Sequence, residues 1–274
     1  MNSTQIHRIL VPVDFSEIGD KALEHGAYLA NACRADLIIL HSADGNGTPS
    51  DAADKLNNYA ENYAKRYGIF VKPISSIGKA SKKIAEAVVE NDIDLIVMGT
   101  HGVGGFEELF VGSTANKIVN LAPCPVITIP PNAKSTIVKS IVLPIDETMH
   151  SRQKVTNVVP LAAKIGATVH VLGLVQSRDK SDLAKFKVKL ATVEDAVEKA
   201  GIPCVKKVVN GQNLAIEAMK YSEEAGADLL AIMTDHESNM TGMFMGAFAK
   251  QIINHSKVPV LSIKPITGPY ESAS

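Results

Sequence analysis

Two stretches of this chain are one segment written twice. Asp94-Leu95 is matched by Asp228-Leu229, Thr100 by Thr234 and Phe110 by Phe244. The register then holds through Gly112/Gly246, Ala115/Ala249, Ile118/Ile252, Asn120/Asn254 and Pro125-Val126/Pro259-Val260, at a constant offset of 134 (228 − 94). Nearer the start of each copy, Ile9-Leu10-Val11-Pro12-Val13-Asp14 aligns with Ile141-Val142-Leu143-Pro144-Ile145-Asp146 at an offset of 132 (141 − 9). A drift of two residues is what small loop insertions leave. Self-similarity at a fixed period means that one structural unit recurs, so both copies must fold alike. The 274 residues leave room for about two domains. The boundary falls in Pro130-Pro131-Asn132-Ala133-Lys134-Ser135, where two prolines stop an apolar run and the composition turns polar. The expected domains are 1–133 and 134–274.

Each copy alternates short apolar runs with helical patterns. In the first, 9–13, 36–41, 70–75, 93–98 and 126–129 read as strands. Helical patterns open at Ser16-Glu17 and cover about 50–67, 80–90 and 114–121. The second repeats the order, with strands at 141–145, 168–174, 204–209, 228–233 and 260–263 and helices at 153–165, 180–200, 214–225 and 247–255. Strands separated by helical stretches argue βαβ units and a parallel sheet. Apolar runs without alternation suit strands covered on both faces, and right-handed crossovers place helices on each side. The expected class is α/β: two doubly wound, five-stranded parallel-sheet domains in tandem, closing on each other as an internal pseudo-dimer. The fifth strands could also pair between chains, which keeps a homodimer open.

One loop carries the functional signal. Gly99-Thr100-His101-Gly102, then nine residues, then Gly112-Ser113-Thr114 follows an apolar strand and leads into a helix. A strand running into a glycine-rich loop and a helix start lets backbone N–H groups converge on phosphate. Glycine leaves no Cβ between the backbone and a ligand, and the Ser113 and Thr114 hydroxyls add donors where the macrodipole favours anions. The spacing is neither the Walker A pattern nor GxGxxG. A plain connecting loop is the competing reading. Position favours a site, because open α/β sheets bind ligands beyond the carboxyl ends of their strands.

Taken together, these motifs resemble the universal stress protein family. The residues that carry the resemblance are Val11-Pro12-Val13-Asp14-Phe15-Ser16, Leu40-His41, Met98-Gly99-Thr100-His101-Gly102 with Gly112-Ser113 nine residues on, and Cys124-Pro125-Val126-Ile127-Thr128-Ile129. It extends over nearly the whole chain as a tandem pair. It implies an adenine nucleotide alpha hydrolase-like fold, a role in the stress response, and membership of an ATP-binding branch marked by Gly-x2-Gly-x9-Gly-(Ser/Thr). That pattern is met by Gly99, Gly102, Gly112 and Ser113. Carried over by position, the resemblance puts Pro12, Val13 and Asp14 on the nucleoside side and the Ser42 backbone at the adenine. Met98 and Gly99 fall at the ribose, and Gly102, Gly112, Ser113 and Thr114 around the phosphates. Mg²⁺ or Mn²⁺ would be held through phosphate oxygens.

The second copy departs at these positions. Met233 stands for Gly99, His236 for Gly102, Ala247 for Ser113 and Gly173 for His41, while Asp146 and Gly246 are kept. Side chains at 233 and 236 would fill the space that a triphosphate needs. The reading is one ATP site per chain, in the first domain, with a degenerate second loop.

Other features weigh less. Asp14 is a ligand contact or a cap for the following helix; His101 packs locally to hold its loop, and His41 is a satisfied buried histidine. Asp235-His236 offers no second ligand cluster, and zinc wants three or four. Met233, Met240, Met243 and Met245 read as adaptable packing, with a partner surface as the alternative. Lys79, Lys82 and Lys83 read as a solvated helix face. No positioned base, arginine finger candidate or Walker B acid accompanies the loop. A nucleotide-dependent binding module is therefore preferred over a slow ATPase or another nucleotide-using enzyme, or a non-nucleotide interaction protein built on the Met-rich second domain.

A net charge of −1 and 5% aromatic residues without tryptophan argue against nucleic acid. Three isolated cysteines fit a reducing compartment. The polar start, Met1 to Arg8, does not read as a signal peptide, and no apolar run approaches the ~20 residues of a membrane span. A cytoplasmic, non-membrane protein is expected.

Overall fold

Apolar residues occupy consecutive positions in the central strands because those strands are covered on both faces. Ile9, Leu10 and Val11 are fully buried, as are Ile141, Val142 and Leu143 at the matching place in the second copy. The structure, a computed structural model, describes residues 5–43, 49–100, 112–148, 150–176, 179–234, 236–239 and 242–265. The first half runs β1 (Arg8–Pro12), α1 (Glu17–Cys33), β2 (Asp36–Ala43), α2 (Pro49–Tyr67), β3 (Val71–Ile77), α3 (Ala80–Glu90), β4 (Leu95–Gly99), α4 (Ser113–Leu121) and β5 (Val126–Ile129). The second half opens with β6 (Ser140–Ile145), a 3-10 turn at His150–Arg152, α5 (Val155–Ile165) and β7 (Thr168–Val175). It continues with α6 (Lys180–Lys199), β8 (Cys204–Asn210), α7 (Leu214–Glu224) and β9 (Leu229–Met233). A hairpin of β10 (His236–Asn239) and β11 (Gly242–Met245) follows, then α8 (Ala247–His255) and β12 (Val260–Ile263).

The two expected five-stranded sheets are a single one. Its strand order is β3-β2-β1-β4-β5-β12-β9-β6-β7-β8. Pairing is parallel within each half, and the join between β5 and β12 is antiparallel, with Val260 opposite Thr128, Leu261 opposite Ile127 and Ser262 opposite Val126. Each fifth strand therefore has a neighbour on both sides, which uses up the pairing between chains that the sequence left open. The antiparallel join also makes the strands of the two halves point in opposite directions, so their carboxyl ends lie at opposite edges of the sheet.

Two apolar layers cover the sheet. One packs α1, α2, α5 and α6 against one face, with Leu23, Leu29, Val158 and Leu190 in its centre. The other packs α3, α4, α7 and α8 against the opposite face, around Ile84, Ile118, Ile252 and Ile253. A side chain at Gly26 of α1 would put its Cβ 2.4 Å from Val11 Cγ2, so the absence of one lets helix and strand close up. Ser16 caps α1 by accepting from the Gly19 N–H at 3.1 Å. Among the described residues, no helix is long and apolar enough to cross a membrane.

Candidate functional site

In the first half the chain leaves β1 toward β2 on one side and returns from β3 to β4 on the other. The order of the strands reverses between β1 and β4, and open α/β sheets place their ligand crevice beyond the carboxyl ends of the strands at such a point. The parallel register Ile9–Leu95 and Leu10–Ile96 brings the carboxyl ends of β1 and β4 to the same edge of the sheet. Pro12, Val13 and Asp14 follow the end of that pairing in β1, and Met98 and Gly99 end β4. On the other flank β1 ends its pairing at Pro12–Leu40, and the Val13 N–H donates to Leu40 O at 2.8 Å. His41, Ser42 and Ala43 run on past that end, paired with β3 alone.

Asp14 is held in a tight turn. Its Oδ1 accepts from Ser16 N at 3.1 Å and from Ser16 Oγ at 2.6 Å, while Ser16 Oγ also caps α1. A Cβ on Gly19 would lie 2.5 Å from that carboxylate oxygen, so glycine leaves the space in which Asp14 sits. Phe15 takes φ 61°, in the left-handed region where a bulky residue is rare. The conformation brings its ring over His41 with centroids 4.6 Å apart, edge-on to Tyr59 at 5.5 Å and beneath Lys55 Nζ at 4.3 Å. His41 Nδ1 bonds Val13 O at 2.8 Å, which ties the ends of β1 and β2 together. His41 is thus a satisfied structural histidine. The Ser42 hydroxyl donates to Gly78 O at 2.6 Å.

At the exit of β4, buried Thr100 donates its N–H to Ile129 O at 3.0 Å and accepts from Gly112 N at 2.7 Å. The second bond closes the base of the segment between them. His101 and Gly102, within 101–111, lie outside the described residues. Gly112 is the N-cap of α4, with no side-chain cap, and Ser113 and Thr114 form its first turn. Gly112 has φ −55° and ψ 152°, a conformation open to any residue. What glycine provides there is the missing side chain.

The second half repeats this frame. Thr234 donates to Ile263 O at 2.8 Å, and Gly246 caps α8 with φ −59° and ψ 154°. Asp146 makes the same turn, accepting from Thr148 N at 2.9 Å and Thr148 Oγ1 at 2.5 Å. The surroundings differ. Where Gly19 stood there is buried Ser151, whose Oγ accepts from Asp146 N at 2.9 Å. Lys189 donates to Asp146 O at 2.7 Å and Thr148 O at 2.6 Å, and burial pulls its pKa below the usual lysine value, against the opposing pull of Asp146. At Gly173, in place of His41, Leu190 and Phe186 would lie 3.0 Å from an added Cβ. Met233 is buried. Asp235, and the side chain of His236 in β10, lie outside the described residues.

The universal stress protein family model matches residues 5–130 and again residues 138–264. The chain belongs to the universal stress protein family. It is a tandem member, with two such domains in one polypeptide. Universal stress protein Sll1654 of Synechocystis sp. is 34% identical over 133 residues, covering 44% of this chain and 84% of that protein. Universal stress protein YxiE of Bacillus subtilis is 27% identical over 145 residues, covering 45% of this chain and 98% of its own length. The crystal structure of a universal stress protein from Archaeoglobus fulgidus superposes with a TM-score of 0.77, covering 96% of this chain and 99% of that one. At 18% identity, that likeness speaks to the fold, which is the adenine nucleotide alpha hydrolase-like one in two copies.

Within this tandem universal stress protein, three positioning features went unread in the sequence: the space at Gly19, the left-handed Phe15, and Lys189. The Gly19/Ser151 difference was visible at the offset of 132 (151 − 19). Nothing local foretold Phe15 or Lys189. Cys124, half-buried, has its thiol pushed up to about 12 by burial, which makes it a poor nucleophile.

Proposed function

We propose that the first domain binds ATP, with Mg²⁺ or Mn²⁺ held through its phosphates. The chain then acts as a nucleotide-dependent binding or regulatory module of the stress response, with one site per molecule. One observation carries this reading: the reversal of strand order sets the carboxyl ends of β1 and β4 side by side, next to a helix, α4, whose N-terminus only glycine caps. In this reading Pro12, Val13, Asp14 and the Ser42 backbone face the nucleoside, and Met98 and Gly99 the ribose. Gly102, Gly112, Ser113 and Thr114 surround the phosphates. The missing side chain at Gly112 fits such an occupant, because its backbone conformation does not need glycine. Among the described residues there is no group of three or more metal-ligating side chains. The donor set suits an ion whose ligands are mainly phosphate oxygens and water. Ser151, Lys189 and the Phe186–Leu190 pair against Gly173 support a second domain without an ATP site. The two domains divide at 133/134, and the protein works in the cytoplasm.

The test is to denature the purified protein, identify the released small molecules by mass spectrometry, and titrate the refreshed protein with Mg-ATP. Released ATP, or calorimetric binding at one site per chain, supports the reading; the absence of both sinks it. Gly112→Val should abolish binding while leaving the far-UV circular dichroism unchanged. Bound ATP that yields no ADP over hours keeps the role one of binding rather than hydrolysis.

A further inference from the structure

The chain leaves β5 at Ile129, enters β6 at Ser140, and on the way is held to α1, where Lys21 Nζ donates to Pro131 O at 3.0 Å. The same lysine lines a cavity of about 210 Å³ at this junction of the two halves. Glu24 and His25 of α1 line it too, with Lys134, Ser135 and Thr136 of the linker. Pockets for drug-sized ligands begin near ~300 Å³. This one has room for a few waters or one small molecule.

His25 is the unusual member. It is 3% exposed and lines the cavity, yet among the described residues its ring has no hydrogen-bond partner. Buried polar groups are hydrogen-bonded as a rule, and an exception points to a partner from outside the chain. Burial lowers its pKa to about 4, against the pull of Glu24. At neutral pH the ring therefore offers one N–H donor and one lone pair, without a charge.

The charges around it are unequal. Glu24 is committed to α2: Arg66 Nη2 lies 2.6 Å from Oε1, Arg66 Nη1 donates to Oε2 at 3.2 Å, and the Tyr67 hydroxyl donates to Oε1 at 2.6 Å. Lys21 has Pro131 O and, at 3.0 Å, Glu17 Oε1, which leaves the third donor of its ammonium group. Lys134 has no ion pair among the described residues. The Ser135 hydroxyl is satisfied within its own turn, accepting from Ile137 N at 3.1 Å and donating to Ile137 O at 3.0 Å. Two ammonium groups and an imidazole N–H thus line a space whose carboxylate is already neutralised. The second copy has Gln153, Thr156 and Asn157 where α1 has Lys21, Glu24 and His25, at an offset of 132 (157 − 25). The set occurs once, so the repeated fold does not require it.

We propose that this cavity binds a small dianionic oxyanion, held by Lys21, Lys134 and His25. Inorganic phosphate, a small phosphate ester and a short dicarboxylate share that chemistry. Bound there, the anion ties the linker to α1, in a place that shares no residue with the nucleotide cleft.

The test titrates the full chain with inorganic phosphate and with succinate at fixed ionic strength, with succinamide as the neutral control. Calorimetry reads binding, and NMR follows the ring C–H protons of His25. The expected result is saturable binding of one or both dianions at one site per chain and none of succinamide, with the His25 signal moving in step. Lys21→Gln, which installs the second copy's residue, should weaken binding roughly tenfold, as for loss of a charge-assisted hydrogen bond. Lys134→Ala, at an exposed position, should weaken it without altering the fold, and serves where Lys21→Gln does not fold. Phosphate binding alone assigns the site to phosphate or its esters, and succinate binding alone to dicarboxylates. No binding at millimolar concentration, or binding that leaves the His25 signal or both lysine variants unaffected, overturns the site and leaves a water-filled cavity. Binding that Gly112→Val abolishes and Lys21→Gln keeps belongs to the nucleotide cleft and equally overturns it.

Discussion

The clefts at the two ends of the sheet share one frame and differ in what fills it. In both, an aspartate at the end of the first strand folds back on a hydroxyl residue two positions on, through Ser16 in one and Thr148 in the other. In both, a buried threonine ties the fourth strand to the fifth, and a glycine caps the next helix. The filling is different. The first half keeps Gly19 beside Asp14 and an aromatic cluster of Phe15, His41 and Tyr59 to one side. The second puts Ser151 in that space, lays Lys189 across two carbonyls and packs Phe186 and Leu190 on Gly173. What is kept in both copies is what the fold needs at that corner. What survives in only one is the candidate for function.

The largest effect should come from the seam that makes the halves one body. Leu261 and Ile127 face each other across it and are almost wholly buried. Leu261→Ala should cost about 2–5 kcal/mol, the usual range for a leucine truncated in a packed core. Because the sheet is continuous, calorimetry should show one transition moving to lower temperature. Two separating transitions, with only the second-half one shifted, would mean that the halves unfold independently.

A smaller effect separates the halves by pH. His25 in α1 is 3% exposed, and burial lowers its pKa to about 4, against a weaker opposing pull from Glu24. The unfolded chain binds this proton near 6.5 and the folded chain only near 4. Its contribution to stability is therefore fully present above pH 6.5 and is lost as the pH falls toward 4. The span corresponds to about 3 kcal/mol. The second half has the non-titrating Asn157 at this place (25 + 132 = 157). His25→Leu should flatten the stability profile between pH 6.5 and 4 measured by urea unfolding; an unchanged slope would exclude His25 as its source.

The smallest effect concerns the aspartates. Gly19→Ala pushes a methyl into the space of the Asp14 carboxylate and should weaken Mg-ATP binding by about 1 kcal/mol, near the net value of one hydrogen bond. Ser151→Ala in the second half should leave Mg-ATP binding unchanged. Equal losses in the two variants would remove the distinction drawn between the clefts.

The elements were legible because hydrophobic period and punctuation carry them. The expected helix at 80–90 and strands at 126–129 and 260–263 fall on α3, β5 and β12 without adjustment. That β1 and β4 are parallel neighbours ending at one edge followed from the βαβ order. Strand direction at the join was not legible, since an apolar run such as Val260–Ile263 reads the same in either orientation. The β10–β11 hairpin was missed because residues 236–245 were read through their register with the glycine loop, and not as two short strands around Asn239 and Gly242. The helix expected from 153 begins at Val155, after the turn at His150–Arg152. The solvated helix face read at Lys79 and Lys82 is exposed in the structure.

The covalent linker through Pro130 and Pro131, held to α1 by the bond of Lys21 Nζ to Pro131 O at 3.0 Å, has a consequence for inheritance. Two identical chains meeting about a two-fold axis must present two identical clefts, since every substitution appears twice. Joined end to end, the partners are free to diverge. One can give up its glycines and accept a lysine plug while the other keeps its cleft, and the pair still folds as a unit. Fusion thus converts a symmetric scaffold into one where a single copy can be lost without loss of the whole.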